Sequence, residues 1–234
     1  MAQQRIVFVH GNGSFGAAAW RGQHALARSY DCLFLRRHGY HPDLPPAPTS
    51  HRTDTDSVLA ALGDGGHVVA HAEGAICAMM AAVEQPGRVF SLTLCEPAVF
   101  SLTRDLPATA AHRSLLEPLF RRAPHLSDDE FAQEHRRLVF LPETRPAGEA
   151  DAKAAARRRM QAPPWDAPLE IVPGVPTLVL TGGWEPLYEE VAAFLESTGA
   201  EHIAAGGNHR PQDSPEGQDA IRAFLGGCRG SAAA

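Results

Sequence analysis

His67-Val-Val-Ala-His-Ala-Glu-Gly-Ala-Ile-Cys77 reads as a buried strand, a tight turn and the opening of an apolar helix. The β-branched pair and the alanine have the composition of a short interior strand. Ala70 and Gly74 put small residues two before and two after Ala72, as a chain folding that sharply requires. A residue at the apex of such a turn is pushed out toward a ligand, and the following helix aims its positive end at the same place. Taken alone, Ala-His-Ala-Glu-Gly-Ala would also serve as an ordinary helix start.

Outward from that stretch, the chain alternates strands with helices. Arg5–Val9, Asp31–Leu35, Val89–Cys95, Pro176–Thr181 and Glu201–Ala205 are short β-branched or aromatic runs and are predicted strands, with His67–Ala70 the third in order. Helices are predicted at Ala17–Ser29, from Thr53 to Leu62, and at Gly74–Glu84, Glu189–Ser197 and Gly217–Leu225. Arg36–Arg52 is rich in proline and histidine and is predicted to be a loop. Alternation of this kind implies a parallel sheet of about six strands covered on both faces, with ligands at the carboxyl ends of the strands. Residues 101–173 break the pattern. They carry helix-like charged segments (Ala111–Arg122, Ser127–Leu138, Gly148–Gln161) and no convincing strand. So long an interval is expected to be an inserted helical lid rather than a plain connection. The expected division is a core of residues 1–100 and 174–227, a cap at 101–173 and a flexible tail at 228–234.

Composition narrows the function. The chain has 234 residues, 44% hydrophobic, with 21 Lys plus Arg against 27 Asp plus Glu and a net charge of −6. That length suits one α/β domain. The mild acidity argues against a nucleic-acid surface. No run approaches the roughly 20 apolar residues of a membrane span. Arg5–Val9 is too short for the apolar region of a signal peptide, and the four cysteines (Cys32, Cys77, Cys95, Cys228) lack C-x-x-C spacing. A cytoplasmic protein with reduced thiols is expected. There is no P-loop and no dinucleotide-binding glycine turn. His38 and His41 with Asp43 lie in a Pro-rich loop and make a poor metal site. No cofactor is expected, and no feature sets an oligomeric state.

Ala70-His71-Ala72-Glu73-Gly74 resembles the G-x-S-x-G elbow of the α/β-hydrolase superfamily, with Ala72 where the nucleophilic serine belongs. Two further segments carry the resemblance. His10-Gly11-Asn12-Gly13 follows the first strand and is similar to the family's H-G-x motif. Gly206-Gly-Asn-His209, six residues before Pro215, is similar to its histidine segment, with Asn208 in place of a glycine. The resemblance implies the α/β-hydrolase fold, with a helical cap inserted before the penultimate strand. It also implies an oxyanion hole from the N–H groups of Asn12 and Glu73, Gly11 and Gly13 against the substrate, and His209 as general base.

The acid has two candidates. Glu185, in Thr181-Gly-Gly-Trp-Glu-Pro186, occupies the superfamily's commoner place. Glu96, in Cys95-Glu-Pro97, occupies the place used by certain dehalogenases and lactone hydrolases. Glu96 is slightly favoured, because it ends a largely apolar strand in a compact turn. Of the three tryptophans, Trp184 is the favoured pocket wall over Trp20 and Trp165. His71 is expected in packing and Glu73 at the pocket mouth. Cys77 is no substitute nucleophile, since it lies more than a helical turn past the elbow.

The expected reaction is hydrolysis of a small-molecule ester or lactone through an acyl-enzyme. Carbon–carbon bond hydrolysis would use much the same residues. Dehalogenation is disfavoured, because in this fold it uses a carboxylate at position 72. Ala72 has three explanations: a deliberate Ser→Ala replacement that stops turnover, a natural non-catalytic relative that binds a ligand, or an enzyme in which His209 and an acid activate water directly. The first is preferred, because a chain drifting from catalysis would lose more than one part of the site.

Overall fold

The computed structural model describes residues 3–139, 149–171 and 174–228. Six strands form one parallel sheet: β1 (Arg5–Val9), β2 (Asp31–Phe34), β3 (Gly66–His71), β4 (Val89–Cys95), β5 (Thr177–Thr181) and β6 (Glu201–Ala204). Their order is β2-β1-β3-β4-β5-β6. The chain winds one way from β1 to β2 and the other way from β3 onward, so a crevice opens at the carboxyl ends of β1 and β3. The His10–Gly13 loop and the turn at Ala72 both emerge there.

Side-chain alternation divides the core between the two faces. Val7, Val9, Val68, Ala70 and Leu94 pack on one side with α1 (His51–Leu62), α2 (Gly74–Glu84) and α6 (Pro186–Ser197). Ile6, Phe8, Val69, Cys95 and Leu180 pack on the other with the Gly16–Arg28 segment and α7 (Pro215–Cys228). Between β4 and β5 the described residues form three α-helices: α3 (Pro107–Arg122), α4 (Asp128–Val139) and α5 (Glu149–Arg159). No helix among the described residues is long and apolar enough to cross a membrane.

Several local expectations need correction. The predicted helix at Ala17–Ser29 is 3₁₀ over Gly16–Arg28 and is interrupted at Trp20 (φ −131°, ψ 38°). There the backbone yields to the indole, which is fully buried with its centroid 5.2 Å from that of Phe8. Helix α1 opens at His51, two residues before the predicted start, because the Ser50 hydroxyl accepts the Thr53 N–H at 3.2 Å and caps it. Cys228 belongs to α7 rather than to a tail. Residues 229–234 of the expected tail, and 140–148 and 172–173 of the expected cap, lie outside the described residues.

Gly74 is fixed by sterics. A Cβ there would stand 2.5 Å from the Val9 carbonyl oxygen and 2.7 Å from that of His10. Those are backbone atoms of β1 and its loop, which cannot swing aside. Gly74→Ala is therefore expected to destabilise the fold by about 1–3 kcal/mol through overpacking. Urea unfolding measures it, and an unchanged midpoint would contradict the tight β3–α2 turn.

Candidate active site

The turn between β3 and α2 is strained at its apex. Ala72 has φ +49°, in the left-handed region that costs an L-residue about 1–2 kcal/mol. Three backbone hydrogen bonds hold it there. Its N–H donates to the Cys95 carbonyl at 3.0 Å, and its carbonyl accepts from Ala75 at 3.0 Å and Ala98 at 3.2 Å. Strain retained this way is characteristic of functional sites.

The loop after β1 lies against this turn. A Cβ on Gly11 would come within 2.9 Å of the Ala72 Cβ, so glycine is needed for the approach. The Asn12 side-chain amide donates to the Glu73 carboxylate and ties the loop to the turn. Among the described residues, the backbone N–H groups of Asn12 and Glu73 have no hydrogen-bond acceptor. Asn12 is fixed from behind by the Tyr40 hydroxyl, which donates to its Oδ1 at 2.6 Å. Tyr40 is buried, and Arg157 of α5 and Arg37 lie 5.1 and 5.6 Å from its ring centroid. Neither Tyr40 nor Arg157 has a motif that would single it out in sequence.

His209 follows β6 on a loop with Asn208 at φ +51°. Its Nδ1 is 3.5 Å from Oε2 of Glu96, which is fully buried at the end of β4 with φ +45°. Glu96 also accepts the Gly182 N–H at 2.6 Å and the Trp184 indole N–H at 3.2 Å. The loops of β5 and β6 meet closely: a Cβ on Gly182 would overlap the Asn208 carbonyl oxygen at 1.9 Å. His71 is buried, and its Nε2 is 2.8 Å from the His209 carbonyl oxygen, so it donates there. Burial, with His209 nearby, holds His71 well below the ordinary histidine range. It is therefore a neutral clamp on the His209 loop. Glu185 stands at the head of α6, and among the described residues its carboxylate has no hydrogen bond or ion pair. His209 thus meets Glu96 of the two acid candidates.

Above the turn lies a cavity of about 190 Å³. Asn12, Gly13, His71, Glu73 and His209 line its sheet side. Leu116, Phe120, His135 and Arg158 close it from α3–α5, with Trp165 and Tyr188 as aromatic walls. Gly11 sits below, against the turn. Trp184, the tryptophan favoured as a pocket wall, stands beside this cavity. Its indole turns to Glu96, and its ring faces an adjoining cavity with Leu115 and Leu138, while Trp165 takes the wall position. Trp20 stays in the core. Burial pushes the Cys77 thiol up to about 12, so it stays protonated and inert.

Buried histidines make the fold acid-sensitive. Burial, with Arg37 nearby, lowers His10 from 6.5 to about 3. It stays neutral, with Nδ1 bonded to the Gly11 carbonyl at 2.6 Å and Nε2 accepting the Arg37 N–H at 3.0 Å. Between those values the unfolded chain binds the extra proton. Stability is therefore full above about pH 6.5 and falls as pH drops toward 3. At pH 5 the loss from His10 alone is about 2 kcal/mol. His135 and His112, lowered by burial to about 3 and about 4, add to it. Urea unfolding at pH 7 and pH 5 measures the loss, and equal stabilities would contradict it.

The comparisons agree with this architecture. A profile of the alpha/beta hydrolase family matches residues 6–219. A putative epoxide hydrolase from Pseudomonas aeruginosa superposes with a TM-score of 0.69 at 16% identity, over 99% of this chain and 91% of that one. A carboxylesterase structure from Nitrososphaera gargenis gives 0.66 at 16% identity over 98% and 92%. A thermophilic esterase from Thermogutta terrifontis gives 0.59 at 16% over 97% and 91%. No curated protein matches the sequence. These likenesses carry the fold. With the family profile spanning nearly the whole sequence, the chain belongs to the alpha/beta hydrolase family.

Proposed function

We propose that the active form of this protein is a serine hydrolase of carboxylic esters or lactones, and that this chain, with Ala72 at the nucleophile position, binds such substrates without turning them over. The observation that carries the reading is the left-handed backbone at Ala72, between His71 and Glu73, which line the same cavity as His209. In the active form a serine hydroxyl at position 72 attacks the carbonyl carbon while His209 takes its proton. Glu96 orients the ring and balances its charge. The N–H groups of Asn12 and Glu73 stabilise the oxyanion, each worth about 10²–10³ in rate. Collapse expels the alcohol, protonated by His209, and water then releases the acid. The four unpaired cysteines fit a reducing, cytoplasmic compartment.

Fluorophosphonate labelling of the Ala72 and Ala72→Ser proteins tests the reading. The Ala72→Ser protein is expected to label at residue 72 and the Ala72 chain to stay unlabelled. Absence of labelling and of turnover after Ala72→Ser would favour a ligand-binding role instead.

A further inference from the structure

The helical side of the cavity carries one feature that ester hydrolysis does not require. Among apolar and aromatic neighbours such as Leu116, Phe120 and Trp165 sits the guanidinium of Arg158. Among the described residues its one hydrogen bond is to a ring nitrogen, Nη1 to His135 Nδ1 at 3.2 Å. Burial, with Arg158 beside it, keeps His135 neutral down to about pH 3, so it accepts a hydrogen bond but supplies no counter-charge. Among the described residues no carboxylate lies within ion-pair distance of Arg158, and the carboxylate whose charge acts on it is that of Glu73. Glu73 lines the same cavity with Oε1 held by the Asn12 amide. The other cation lining the cavity, Arg210, is satisfied by Asp213 at 2.5 Å and the Ala19 carbonyl.

A guanidinium has five donors in a planar fork that matches a carboxylate bidentately. Withdrawing it from water with no carboxylate in direct contact, only the Glu73 charge that is itself tied to Asn12, is unfavourable. Resting on the ester-hydrolase reading, we infer that the substrate carries a second, free carboxylate, seated on Arg158 while the scissile carbonyl lies at residue 72. The substrate class is then the half-ester of a dicarboxylic acid, or an ester with a carboxylate on its alcohol side. The aromatic walls cover the apolar spacer between the two groups. His135 steers the fork as a neutral acceptor.

Equilibrium binding to the Ala72 chain tests this without catalysis. Monomethyl glutarate and methyl butyrate, of similar size, are titrated by calorimetry. The anionic ester is expected to bind at least about tenfold more tightly, as a charge-assisted pair requires. Arg158→Gln is expected to bring that ratio close to one, and Arg158→Lys to keep part of it. In the Ala72→Ser background, kcat/KM for the p-nitrophenyl half-ester of glutarate over p-nitrophenyl butyrate should follow the same order, mainly through KM. Equal binding of the two probes by the Ala72 chain would overturn the inference even if Arg158→Gln fails to fold. Hydrolysis of neutral esters after Ala72→Ser without an anionic preference would overturn it while leaving the hydrolase reading intact. Preferential binding of the anionic probe with no hydrolysis after Ala72→Ser would do the reverse.

Discussion

Ala72→Ser is expected to raise ester hydrolysis about 10⁶-fold over the Ala72 chain, the size of effect seen when the serine of such a unit is removed. The geometry asks little of the new residue. Ala72 already occupies the left-handed conformation, and serine carries the same steric cost there as alanine. Gly11, opposite, has no Cβ to compete for the space the hydroxyl enters. The melting temperature is therefore expected to stay within a few degrees, since no buried contact is lost. Residual activity of the Ala72 chain should come only from the oxyanion donors and binding, roughly 10³–10⁴ over water. Initial rates on p-nitrophenyl acetate, p-nitrophenyl butyrate and a δ-lactone, each with both proteins, measure the gain. A rise below tenfold in a protein that melts normally would mean that the site binds and does not hydrolyse.

How much of this was legible in the sequence depends on how far apart the cooperating residues lie. The elbow is written in five consecutive residues, because its demand is steric and local: Gly74 faces the Val9 carbonyl, and no other residue fits. The strands were readable for the same reason, since β-branched runs report their own burial. Tyr40 was not readable. It reaches Asn12 from 28 positions away, out of a Pro-rich loop whose sequence has no periodicity, and depends on Arg157 from α5 to hold it. Trp184 and Trp165 have equal claims by composition. Only the packing of the β5 loop turns one toward Glu96 and leaves the other to wall the cavity. The break at Trp20 is likewise tertiary, an indole drawn against Phe8 at the expense of a regular helix. The two glutamates are the sharpest case. Both end strands or their loops, and both follow small or aromatic residues. They differ in the direction of one carboxylate, which is set by a left-handed backbone at residue 96.

That difference predicts the second large effect. In the Ala72→Ser background, Glu96→Gln is expected to lower kcat by about 10⁴, the scale of an equivalent acid-to-amide change in a serine triad, while Glu185→Gln stays within a few-fold. The reason lies in donor geometry. The Glu96 carboxylate accepts from the Gly182 N–H through Oε1 and from the Trp184 indole N–H through Oε2, which also faces His209 Nδ1. An amide offers one accepting oxygen. If that oxygen stays on Gly182, the –NH₂ confronts the indole N–H and His209 Nδ1. The histidine must then accept at Nδ1 and carry its proton on Nε2, the nitrogen that should take the serine proton. If the amide flips, the Gly182 N–H is left buried and unsatisfied. The first arrangement removes the base and the second breaks the buried Gly182 bond, and in both the negative charge that balances the imidazolium is gone, so the loss should fall on kcat with KM little changed. Glu96→Asp keeps the acceptor chemistry and should recover part of the rate. Glu185, at the head of α6 with no hydrogen bond to its carboxylate among the described residues, loses nothing by the same change. Should Glu185→Gln instead abolish turnover while Glu96→Gln is tolerated, the acid comes from the start of α6, and the buried carboxylate at the end of β4 serves only to bind the Gly182 and Trp184 donors.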